Sequence, residues 1–274
     1  MSIYIMNKAS FSIKDAFGFG WAMFKEKLWF LLGLVAISGL FAALPDVVAK
    51  LTDDKIVFFL AQVISVVIGF VVDAGLIYVM LRLRDGKETK ISDVFSQYPI
   101  VFQYFVAGVL YGVMVVGLPV LFVVYRLNDS VVNHTSSLFY ARDLFILIPL
   151  CILSMYLVLR YQFYKYSLVD NYVDIVDSFK QSAKITDGQK WQLLRFSLAI
   201  IGINLLGLLV FGVGLFVTVP VTMLATVYVY RKLSAPVEEP EPLEESKIVL
   251  EPLDQSISID EKVSKSIETL APLE

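Results

Sequence analysis

Long apolar runs alternate with short polar segments along most of this chain. A hydrocarbon core about 30 Å thick needs roughly 20 apolar residues at a helical rise of about 1.5 Å. Residues 28–48 supply a first span of that kind, with Pro45 near its far end. Residues 56–81 supply a second and carry one charge, Asp73; residues 100–125 supply a third and carry none; residues 144–159 are a short fourth. The 35 residues 196–230 hold no charge and are too long for one ordinary span. Gly212-Val-Gly214 in their middle can make a tight turn, which divides the stretch into a fifth span, 191–211, and a sixth, 215–230.

The polar segments have a pattern of their own. Ile13, Phe17, Trp21, Phe24 and Leu28 recur at helical spacing, and Lys14, Lys25 and Lys27 lie off that stripe. Such a helix suits the bilayer interface, and Ser12 with Asp15 has the form of a capping box at its start. The same opening, I-x-D-x-F, occurs three times: Ile13, Asp15 and Phe17; Ile91, Asp93 and Phe95; Ile175, Asp177 and Phe179. In the first and third copies a tryptophan follows the aspartate by 14 residues, at Trp29 and Trp191. The second, fourth and sixth spans end alike, on Arg82, Arg160 and Arg231, each preceded by tyrosine and aliphatic residues. The pattern predicts an all-α membrane protein: six transmembrane helices as three two-helix repeats, each preceded by a cytoplasmic interfacial helix at 13–24, 91–98 and 175–184.

Charge orients this arrangement. The segments before the first span, between the second and third, between the fourth and fifth, and after the sixth hold 16 Lys and Arg; those on the other side hold 4. Lysine and arginine concentrate on the cytoplasmic side, so both termini are expected there, in a multi-pass cell (inner or plasma) membrane protein. Because the first apolar run starts late and follows acidic residues, no cleaved signal peptide is expected. The composition agrees: 57% hydrophobic and 18% charged, with a mean hydropathy of +0.72. The formal charge of −3 hides an asymmetry. Residues 1–232 carry 20 basic against 15 acidic side chains, and residues 233–274 carry 3 against 11. The domains expected are a six-span body, 1–233, and an acidic disordered tail, 234–274. Ile259, Val263, Ile267 and Leu270 form a stripe in that tail. It suits a short helix docked on a partner protein, although a solvated acidic tail is the simpler reading.

Little in the chain suggests catalysis. One histidine, His134, and one cysteine, Cys151, allow neither a disulfide within the chain nor a zinc site nor a Ser-His or Cys-His pair. No phosphate-binding G-x-x-x-x-G-K-[ST] occurs. No catalytic residue, metal or cofactor is expected, and nucleic acid is no partner. Asp73 is the one ionisable residue deep in a predicted span, nine residues before Arg82 and so about 13 Å from the border. An acid at that depth is a functional candidate by default. Its alternative is a packing role, hydrogen-bonded with Asn204 of the fifth span. Gly108 and Gly112 form a G-x-x-x-G that permits close helix approach.

Ser178-Phe-Lys-Gln through Trp191-Gln-Leu-Leu, the run Gly212-Val-Gly214 to Pro220, and Tyr230-Arg-Lys-Leu233 resemble a large group of poorly characterised prokaryotic membrane proteins. The opening Phe11-Ser-Ile-Lys-Asp-Ala-Phe-Gly-Phe-Gly-Trp21 is similar to it too. That group includes the membrane-domain modules named after glycerophosphoryl diester phosphodiesterases. Its catalytic acids belong to a separate soluble barrel, so the resemblance implies the membrane module and not the hydrolase. The function expected is a non-enzymatic integral membrane protein that organises lipid or partner proteins, with the tail as a contact surface. The alternative is a small-solute transporter or channel with Asp73 as its intramembrane polar site. A polar-lined axis would favour transport and a dry one the scaffold.

Overall fold

A computed structural model describes residues 11–51, 54–132, 141–210 and 212–235. The tail expected at 234–274 lies almost wholly outside them, as does His134. Among the described residues the chain is helical throughout, with no strand. Its helices are α1 (Ile13–Glu26), α2 (Leu28–Lys50), α3 (Lys55–Arg84), α4 (Val101–Val132), α5 (Ala141–Tyr161), α6 (Tyr164–Asn171), α7 (Ile175–Thr186), α8 (Lys190–Leu209) and α9 (Leu215–Ser234). Five stretches are long and apolar enough to cross a membrane: Leu28–Pro45, Lys55–Arg84, Ile91–Asp129, Asp143–Asn171 and Lys190–Leu209. Their outward faces carry aliphatic and aromatic side chains in quantity, as a lipid solvent requires.

Local signals set the ends. Ser12 caps α1, its hydroxyl accepting from the Asp15 amide at 3.3 Å, which satisfies one of the donors a helix start leaves free. Asp54 does the same for α3, accepting from the Ile56 amide at 2.7 Å. Between α8 and α9, Gly212 adopts φ +74°, where any side chain is strained. The two helices then meet at Gly207 and Gly214; a Cβ on Gly214 would lie 2.5 Å from the Gly207 carbonyl oxygen.

Helix α9 is the hub. Pro220, Val221, Thr222, Leu224, Ala225, Val227, Val229 and Tyr230 are all buried, against α1, α2, α3, α7 and α8. The α1 contact is close, because a Cβ on Gly20 would stand 2.4 Å from the Val221 carbonyl oxygen. Most of the large apolar stripe that begins on α1 packs on the core as well: Phe24 is buried, and Ile13, Phe17 and Leu28 are half-buried against it. The buried line of α1 is Ala16, Gly20 and Phe24, while Trp21 remains exposed. Small residues at two of those three steps let the backbones approach closely.

Helix α7 buries the same three steps from its own motif, Ser178, Ser182 and Thr186. The second motif differs. Ile91–Phe95 makes only a five-residue 3-10 turn, and a second turn, Tyr98–Ile100, leads into α4. Pro99 has no amide to continue a helix from the motif and disfavours helical geometry at Tyr98, so no helix spans 91–98. This turn packs on α3 as tightly as α1 packs on α9: a Cβ on Gly75 would overlap the Val94 carbonyl group.

The fourth predicted span, 144–159, falls inside α5; α6 follows after only residues 162–163, within the same candidate spanning stretch, Asp143–Asn171. Tyr164, Ser167, Leu168 and Val169 of α6 are buried, so this part of the chain is core rather than a surface loop. The interruption frees backbone groups, and α7 satisfies them. Ser182 Oγ accepts from the Phe163 amide at 3.1 Å and donates to the Arg160 carbonyl at 3.2 Å. Thr186 Oγ1 donates to the same carbonyl at 2.9 Å. Hydroxyls from a neighbouring helix are the usual remedy where a spanning helix is broken.

Candidate functional site

Asp73 meets α4 and α6 just beyond that break. Its Oδ2 accepts from the Tyr104 hydroxyl at 2.6 Å and from Lys165 Nζ at 2.6 Å. The ammonium also lies 5.5 Å from the centre of the Tyr104 ring. Tyr104 is fully buried, while the side chains of Asp73 and Lys165 keep 41% and 33% of their surface, so the pair opens to one side. The surroundings are aromatic: Phe70 stands edge-on to Tyr104, Tyr111 lies against Tyr164, and Tyr164 stacks on Phe179. Gly108 admits this packing, since a Cβ there would press on the Phe70 ring at 3.1 Å; Gly112 has open space. Half of the G-x-x-x-G thus serves contacts within the chain.

An unpaired aspartate or lysine at mid-membrane costs about 2.5–3.5 kcal/mol on insertion scales. Bringing the two together, with a phenol as third partner, removes most of that cost and leaves a polar latch joining α3, α4 and α6. Asn204 is not part of it. Its amide donates to Thr222 Oγ1 on α9 at 3.3 Å, so the two candidate polar residues have separate partners.

Two further ion clusters fix the ends of the bundle. At the end carrying Arg82, Arg160 and Arg231, the Arg231 guanidinium holds Asp85 through Nε and Nη2 (3.1 and 2.7 Å) and Asp170 through Nη1 and Nη2 (2.6 and 2.7 Å). The loop after α3, the end of α6 and the end of α9 are thereby tied. At the other end Arg126 Nε bonds Asp143 Oδ2 at 3.0 Å, its Nη1 bonds Asp129, and both Arg126 and Asp143 are buried. That pair joins α4 to α5. Arg82 and Arg160 each bond the tyrosine one turn before them, Tyr78 and Tyr156, at 2.9 Å. Arg231 instead lies 5.8 Å from the Tyr230 ring centre.

A family model described as Protein of unknown function (DUF975) matches residues 22–236. The chain belongs to that family. No curated protein and no solved structure matches it. The DUF975 match runs from within α1 to just past α9, so the hub, the broken α5–α6 helix and the Asp73 latch all lie inside the family unit.

The structure puts the motif residues of this DUF975 chain at the starts of α1, the first 3-10 turn and α7. Ile13, Phe17, Phe95, Ile175 and Phe179 are half-buried against the core, Ile91 is half-buried, Asp15 and Asp177 are exposed, and Asp93 accepts from the Lys90 amide at 2.9 Å. Each motif buries its fourth residue, Ala16, Val94 or Ser178. Sequence reasoning missed Lys165. The available signal was a lone base among Tyr161, Phe163, Tyr164 and Tyr166, too aromatic a setting for an ordinary surface loop. Cys151 is exposed on α5.

Proposed function

We propose that this protein is a non-enzymatic integral membrane protein that organises lipid or partner proteins, with six spans and both termini in the cytoplasm. The observation that carries this reading is that Asp73 is held by Tyr104 and Lys165. A carboxylate bonded to two neighbouring helices cross-links them, which suits a packed body. The distribution of Lys and Arg supports the orientation, and α9 would serve as the sixth span. Three related units are supported by the matching buried steps of α1 and α7. They are supported also by the packing of α1 on α9, of the 3-10 turn on α3 and of α7 on α5, each motif lying against an even-numbered span. The resemblance to the phosphodiesterase membrane modules belongs to this reading, as a membrane domain without the hydrolase.

A small-solute transporter is the second reading. It is favoured by the partial exposure of Asp73 and Lys165 beside a broken helix, a feature of many transport sites. Reconstitution separates the two. Vesicles carrying the wild type or Asp73→Asn, loaded with a pH-sensitive dye and given a potassium diffusion potential, should leak protons no faster than protein-free vesicles. An Asp73-dependent flux would overturn the scaffold reading. Reporter fusions after residues 50, 88, 135, 175 and 234 should read out, in, out, in, in; an outside signal at 234 would remove the sixth span.

A further inference from the structure

The joint between α1 and α2 and the loop after α3 enclose a cavity of about 570 Å³. Its wall carries Lys27, Arg82, Lys87 and Lys90 against two carboxylates, Glu88 and Asp93. Asp93 caps the 3-10 turn through the Lys90 amide at 2.9 Å and keeps its charge, which acts on Arg82 through space. Arg82 bonds neutral groups, the Tyr78 hydroxyl at 2.9 Å and the Glu88 carbonyl at 3.0 Å. Among the described residues, none of Arg82, Lys87 and Lys90 is within ion-pair distance of a carboxylate. The neighbouring cavity across Arg82, about 230 Å³, is different: its Arg231 is clamped by both Asp85 and Asp170. Lys27 is paired with Glu26 at 3.6 Å, and the remaining cations still outnumber the lining carboxylates, so an excess of positive charge collects on the α1–α2 side.

That basin sits at a recognisable depth. Lys27 and Phe30 flank Trp29, whose side chain is 83% exposed at the start of an apolar helix. A tryptophan so placed belongs at the headgroup level, and basic pockets beside spanning helices receive anionic headgroups. We infer that this basin binds the phosphate of an anionic phospholipid, with Lys87 and Lys90 closing over it from the loop. The inference rests on the lipid-organising reading above and gives it a place on the molecule.

The test uses the full chain in a neutral detergent, titrated with phosphatidylglycerol, phosphatidylcholine or inorganic phosphate and read by native mass spectrometry. Wild type should bind phosphatidylglycerol in preference to phosphatidylcholine, and millimolar inorganic phosphate should not displace it. Lys87→Gln/Lys90→Gln should weaken phosphatidylglycerol binding roughly tenfold or more, with unchanged thermal unfolding because both side chains lie in a loop. Lys14→Gln/Lys184→Gln removes equal charge away from the basin and should leave binding unchanged. Equal weakening by both pairs, or none by the basin pair, would overturn the site and leave the lipid reading standing. Wild type without preference for phosphatidylglycerol would overturn both. Displacement by inorganic phosphate would assign the basin to a free anion instead.

Discussion

Asp73 and Lys165 show how one residue's placement changes the meaning of another. Alone in a span, the carboxylate reads as a site for a proton or cation. Paired with Lys165 and Tyr104, it reads as a cross-link between α3, α4 and α6. The pair is partly exposed, so solvent screening lowers what it contributes. Removing one partner strands the other, which costs more than the pair itself is worth. Asp73→Leu and Lys165→Met should each destabilise by about 1–3 kcal/mol. The double variant should cost clearly less than their sum, and Asp73→Asn, which keeps the Tyr104 bond, should cost least among the Asp73 variants. Thermal unfolding in detergent closes this cycle; additive single effects would show that the two charges do not support each other.

At the scale of elements, the interruption between α5 and α6 depends on a third helix. Ser182→Ala strands the Phe163 amide and weakens the hold on the Arg160 carbonyl, for about 1–3 kcal/mol, with faster hydrogen exchange at Phe163. Ser178 bonds the Ile175 carbonyl of its own helix at 2.7 Å, so Ser178→Ala removes no bond between helices and should cost less. Equal costs would mean that the break is held by packing alone. The sequence made the long helices, the Ser12 cap and the Gly212 turn legible, because hydropathy, capping and positive φ are local properties. It hid the broken helix, since Tyr164-Lys-Tyr-Ser-Leu-Val-Asp-Asn171 is too polar to read as part of an apolar segment and is buried by partners far along the chain. It also hid part of the contact face of α1, where Ala16 and Gly20 pack beside Phe24 of the apolar stripe and Trp21 of that stripe stays exposed. Lys165 escaped for a similar reason: 92 residues separate it from Asp73, and nothing local links them.

For the whole molecule, the packing of α1 on α9 joins the beginning of the body to its end. Gly20 has its closest partner in Val221, with the rest of the bundle between them in sequence. Chains grow at roughly 5–20 residues per second, so about 10–40 s pass between the synthesis of Gly20 and that of Val221. During that interval α1 lacks its main partner, and its Ile13, Phe17, Trp21, Phe24 and Leu28 stripe suits a helix resting on the membrane surface. Nascent chains stalled before residue 215 should therefore leave an Ala16→Cys thiol open to a water-soluble maleimide, whereas full-length chains, in which residue 16 is buried, should protect it. Equal protection in both would show that α1 finds its seat without α9. Of the described helices, the first to be made is then the last to be fully seated.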